Sequence, residues 1–153
     1  MEIGRAFHHR NTMALLNLLG FSNIQVGRHG FTNFCLLRDR YEVIRYEHEV
    51  CLGLLLPTET SYEIYGFESA MEDILDNYPK LQGFYSGQED VFKLRLWLPY
   101  EGSEQFGATL RLGIETLSSI RIKLEEAMLE CVFTEVEPLF ENALSFEDDD
   151  DEY

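Results

Sequence analysis

Leu81 to Ser86 and Val91 to Leu98 are two strand-like runs on either side of Gly87-Gln88-Glu89-Asp90. A polar, glycine-started turn between two such runs predicts a β-hairpin. In its second strand Phe92, Leu94, Leu96 and Leu98 fall on one face, and Lys93, Arg95 and Trp97 fall on the other. The apolar set belongs in a core, with Lys93 and Arg95 expected to be more exposed.

Upstream, Ile24 and Val26 alternate, Gly27 to Gly30 reads as a turn region, and Phe31 to Leu37 is followed by an Arg-Asp-Arg turn. Tyr41 to Tyr46 and Val50 to Leu56 then lead to Pro57. Period-two patterning, aromatic and β-branched residues and closely spaced turn signals predict an antiparallel meander of three to four strands.

Helices are expected in three places. Asn11 or Thr12 can cap a short one that carries Leu15, Leu16, Leu18 and Leu19 into Gly20. Thr60-Ser61-Tyr62-Glu63 has capping-box spacing, and Ser69 to Glu72 offers a second box should the first part fray. The helix it opens places Ile64, Phe67, Met71, Ile74 and Tyr78 on one face until Pro79. Beyond Gly102, Phe106, Leu110, Ile114, Leu117, Ile120 or Arg121, Leu124, Met128 and Cys131 recur by threes and fours, as in a long amphipathic helix. Ala108 to Ile114 also alternates with period two, so a strand before the helix stays open there. Pro138 is expected to end or kink this helix.

The fold class is therefore α+β, an antiparallel sheet flanked by helices in the order helix, three to four strands, helix, hairpin, long helix. A chain of 153 residues is the size of one domain. Residues 1–146 are assigned to it and 147–153 to an acidic tail too charged to fold.

Charge is distributed unevenly. The first fifty residues are nearly neutral, whereas Glu125 to Tyr153 carries twelve carboxylates and no basic side chain. The net charge of −16 disfavours nucleic acid and anionic membranes and favours basic partners. The start of the chain lacks the pattern of a secretory signal, and Val50 to Leu56 is too short to span a bilayer, so a soluble protein is expected. Cys35, Cys51 and Cys131 are odd in number and sit in apolar segments, as suits reduced thiols in a cytoplasm.

No residue pattern names a reaction. His8, His9, His29 and His48 lack the convergent spacing of metal ligands, and no Gly-rich phosphate loop or nucleophile elbow occurs. Glu125, Glu126 and Glu130 read as a solvated helix face with Arg121 and Lys123 nearby rather than as an acid and base pair. No catalytic residue, metal or cofactor is expected.

The segments "LQGFYSGQED", "VFKLRLWLPYEG" and "SEQFGATLRLGIETLSSIRIKLEEAMLE", together with the element order, resemble the type III secretion chaperone fold and its YbjN-like relatives. The resemblance is architectural and is closest from Leu81 to Glu130. It implies a non-catalytic, homodimeric protein that holds segments of another protein on sheet and helix surfaces.

Candidate partner-binding residues are Trp97, as an aromatic anchor on the non-core face of its strand, and Phe67, Met71 and Tyr78, as part of a stripe facing a second subunit. The run Glu147, Asp148, Asp149, Asp150, Asp151 and Glu152 joins them as a docking segment for a basic partner. That run also supports a second function class, an acidic inhibitor or immunity-type protein that masks the basic surface of a toxin or nucleic-acid-binding protein.

Overall fold

The computed structural model describes the backbone of residues 6–57 and 61–151; the side chains of 61–64 and 130–151 are outside the description. Helix α1 (His9–Leu18) precedes strands β1 (Ser22–Val26), β2 (Thr32–Leu36), β3 (Asp39–Arg45) and β4 (Glu49–Pro57). Helix α2 (Ser61–Leu75), strands β5 (Leu81–Ser86) and β6 (Val91–Pro99), a 3-10 turn (Ser103–Gln105) and helix α3 (Phe106–Asp151) complete the chain. The six strands form one antiparallel sheet in the order β1-β2-β3-β4-β6-β5, so the protein is α+β. Helix α2 carries the chain from β4 past β6 to the edge, and the β5–β6 hairpin then returns it to pair beside β4.

All three helices lie on one face of the sheet, α1 against β1 to β3, α2 against β5 and α3, and α3 against β4 and β6. Between them and the sheet sit Tyr41, Val43, Leu52 and Leu54 from the meander, Phe92, Leu94, Leu96 and Leu98 from the hairpin, and Phe67, Leu110, Leu117, Ile120 and Leu124 from the helices. The sheet's period of two and the helices' period of 3.6 meet in this layer. Gly113 lets α3 approach closely, since a Cβ there would stand 2.6 Å from Leu98 Cδ1 and 2.8 Å from Leu52 Cδ2.

Helix α1 starts earlier than expected: His8, not Asn11 or Thr12, is the N-cap, and its Nδ1 accepts the Arg10 N–H at 3.2 Å. Thr12 is free to point inward because it lies within the helix. Gly20 follows the C-terminus with φ +86, the left-handed geometry that closes a helix, and the Phe21 N–H reaches Leu16 O at 3.2 Å. The β2–β3 turn falls on Leu37 and Arg38, one residue before the expected one, and leaves Asp39 and Arg40 in the strand.

Residues 108–114 are helical, and exposed Leu112 beside buried Leu110 and Gly113 shows why the alternation loses. Ile120 takes the core position; Arg121 instead donates to Asp39 Oδ1 at 2.7 Å. Helix α2 is unbroken through Ser69, whereas the Thr60 cap lies outside the described residues. The backbone of α3 passes through Pro138, where a stop or kink is expected, and runs on to Asp151 within the acidic segment.

Candidate functional site

The face of the sheet opposite the helices carries no secondary-structure element among the described residues. Register places Glu42, Gly53, Arg95 and Gln82 in one row across it, Arg40, Leu55, Lys93 and Phe84 in the next, and Ile44, Cys51 and Trp97 in a third. Rows are fixed by pairing because a sheet side chain cannot change face without a one-residue slip.

At the centre, Glu42 lies between two cations. Arg95 Nε donates to its Oε1 at 3.0 Å and Lys93 Nζ to its Oε2 at 3.3 Å. Lys93 also pairs with Glu89 at 2.9 Å, four residues back on the turn. Glu42 and Lys93 are each only 3% exposed, so the expectation of an exposed Lys93 is corrected. Alternation gives the face of a strand, not its depth, and here the β1–β2 connection folds over that face. Its Phe31 ring centre lies 4.4 Å from the Arg95 guanidinium carbon, and that of Phe84 lies 5.0 Å from it. Arg28 from the same connection donates to Gln88 at 3.0 Å and lies 3.9 Å from Glu89, joining the connections of opposite sheet edges.

Trp97 is half-buried on this face. It stacks on Tyr46 with ring centroids 5.8 Å apart and packs against Phe31, Ile44 and Cys51. Burial raises the Cys51 thiol to about 12, against the opposing effect of the Arg95 charge. Beyond the central rows lies a concavity of about 370 Å³ lined by Asn23, Gln25, Asn33, Cys35, Arg40 and Leu55, with contributions from Phe34 and Tyr41. Arg40 is exposed and enters no ion pair with a described residue. In a chain of net charge −16 this face thus presents Arg28, Arg40, Lys93 and Arg95 against Glu42, Glu49 and Glu89.

The other expected binding residues are placed differently. Phe67 stacks on Phe92 with centroids 4.2 Å apart, and Met71 fills the space over Gly83. Both are buried in the chain's own core, so neither lies on a free surface. The stripe pattern marks an amphipathic helix but does not say whose sheet it covers. Tyr78 is half-buried, and its hydroxyl accepts from Lys123 Nζ at 2.8 Å. The side chains of Glu147 to Asp151, and Glu152 and Cys131, lie outside the described side chains.

The His8 and His9 rings meet in a tilted pair with centroids 4.2 Å apart, His48 lies 3.8 Å from Glu47, and among the described residues no three His, Cys, Asp or Glu groups gather as metal ligands would. Glu125 and Glu126 are exposed on α3. None of the described helices is long and apolar enough to cross a membrane.

Sequence reasoning missed Glu42 and Arg45. Arg45 follows Tyr41 and Val43 at period two, so the alternation itself aims a guanidinium at the helix-covered core. Comparison of the chain with family models, curated proteins and solved structures finds no match.

Proposed function

We propose that the protein is a non-catalytic, chaperone-like or adaptor-like binder that holds a segment of another protein across the helix-free face of its sheet. The observation that carries this reading is the face itself: a half-buried Tyr46–Trp97 pair and an Arg40 without an ion pair to any described residue stand on a surface that no described helix or strand covers. Aromatic and arginine side chains are the types enriched at binding hot spots. The paired Lys93 and Arg95 hold Glu42 and fix the platform beneath, which leaves Arg40 and the aromatic pair to meet the partner. A segment with apolar and acidic side chains suits that surface. The similarity in element order to the type III secretion chaperone fold points the same way.

Affinity capture from the native host, followed by mass spectrometry, tests this with the parent beside Trp97→Ala and Arg40→Glu. Partners retained by the parent and lost from both variants support the reading. A set of partners that both variants keep in full overturns it.

A further inference from the structure

Arg45 is a cation placed against aromatic rings without a counter-charge among the described residues. It is 3% exposed, on the helix-covered side of the sheet and close to the N-terminal half of α1. Its Nε donates to Thr12 Oγ1 at 3.0 Å, and its Nη1 to Tyr100 OH at 2.9 Å and Ser103 Oγ at 3.5 Å. The guanidinium carbon lies 4.8 Å from the Phe7 ring centre, 5.3 Å from that of Phe106 and 6.0 Å from that of Tyr100. No described carboxylate forms an ion pair with it. Buried arginine is rare unless paired, because hydroxyls and ring faces return only part of the hydration it gives up.

Its remaining nitrogen, Nη2, donates to no atom of a described residue. Arg45 also lines a concavity of about 290 Å³ together with Phe7, Asn11, Ala14, Leu15 and Ser103. Its wall combines a cation and two further polar side chains with apolar carbon. This size is at the small end for ligand pockets.

We infer that this concavity is a binding site for a small organic monocarboxylate, with the carboxylate on Arg45 and a short apolar body against Phe7, Ala14 and Leu15. A guanidinium in low dielectric forms its strongest hydrogen bonds to an ionised acceptor, and carboxylate geometry matches its planar donors. An inorganic anion would leave the apolar wall unused. An uncharged ligand would leave Arg45 without a counter-charge. The site is separate from the helix-free sheet face and does not depend on the function proposed for it.

Calorimetric titration of the full chain with benzoate, with benzamide as the uncharged control, tests the inference. Saturable one-site binding of benzoate is expected, with benzamide weaker by roughly tenfold or more, since charged hydrogen bonds are the stronger kind. Arg45→Lys keeps the charge but loses the fork and should weaken benzoate. Ala14→Phe fills the concavity from an exposed position without touching the guanidinium, so it should remove binding while leaving the melting temperature of the free protein unchanged. Glu2→Gln distinguishes an external carboxylate from one supplied by the chain: equal affinity in parent and variant supports the site, and binding only in Glu2→Gln overturns it. Absence of saturable benzoate binding to the parent, equal binding of benzamide, or full binding by Ala14→Phe each overturns it as well.

Discussion

The carboxylate of Glu42 occupies the space that the absent side chain of Gly53 leaves on the neighbouring strand. A Cβ at position 53 would stand 2.8 Å from Glu42 Cγ and 3.0 Å from Glu42 Oε1. Glu42 cannot swing aside cheaply, because Lys93 and Arg95 hold its two oxygens. Gly53→Ala should therefore destabilise the fold by about 2 kcal/mol, the middle of the overpacking range. Urea unfolding checks this as a lower midpoint with unchanged slope.

Removing the carboxylate should cost more than crowding it. Glu42→Ala leaves buried Lys93 with Glu89 alone and strips Arg95 of its acceptor, and breaking a buried pair costs about 3–5 kcal/mol. Glu42→Leu combined with Lys93→Met should cost clearly less than the sum of the two single changes, because neither charge is then stranded. A combined loss equal to the sum of the two single losses in a double-mutant cycle would show that the pair is not coupled.

Leu94 is fully buried between the sheet and the helices, opposite Leu54 on one side and Gly83 on the other. Leu94→Ala should cost about 2–5 kcal/mol, the range for large-to-small changes in a closed core. A variant as stable as the parent in urea would refute the assigned register.

What the sequence makes legible follows from which signals are local. The alternation of Phe92, Leu94, Leu96 and Leu98 is local, and so is the spacing from Phe106 to Met128; both elements and their buried faces match expectation. Depth on the second sheet face is not local. Lys93 is buried because Glu42, fifty-one residues earlier, and Glu89 of the turn close around it, and no window of sequence contains that arrangement. Phe67 and Met71 show the same limit from the other side: their stripe is read correctly as apolar, while its occupant, the protein's own β5–β6 hairpin, is set by topology. Arg45 lay within reach of period-two reasoning but appears there as a strand residue without a partner.

Cys51 gives a pH test of that second face. Burial moves its thiol from an ordinary 9.0 to about 12, so the folded state holds the proton more tightly than the unfolded state. The neutral thiol is favoured in the fold; stability is full below about pH 9 and falls as pH rises towards 12, where the folded thiol also ionises. Tyr41 is displaced in the same direction, chiefly by burial, and adds to the alkaline loss. Cys51→Ala should lose less stability over that interval than the parent, with only the Tyr41 part and other alkaline groups remaining. Identical pH dependence of the urea midpoint in the two proteins would show that Cys51 does not contribute.

The final distinction is between the helix-free face and the acidic end of the chain as the surface that meets a partner. Glu147 to Glu152 carry six carboxylates, and an inhibitor of a basic protein would draw its association rate from them. A partner held on the sheet face meets Arg40 and Trp97 instead. Deleting 147–153 should leave the association rate of a captured partner within about twofold, since on this reading Arg40 supplies the steering charge and screening over ~8 Å at physiological salt weakens longer-range attraction. Arg40→Glu should slow association, with the loss shrinking as salt rises, and Trp97→Ala should act on dissociation at every salt concentration because its contact is apolar. Stopped-flow measurement can follow all three through Trp97 or, in its absence, through a labelled partner, the chain having a single tryptophan. A steep, salt-sensitive loss of rate on truncation, with Arg40→Glu and Trp97→Ala silent, would move the assignment to the acidic inhibitor.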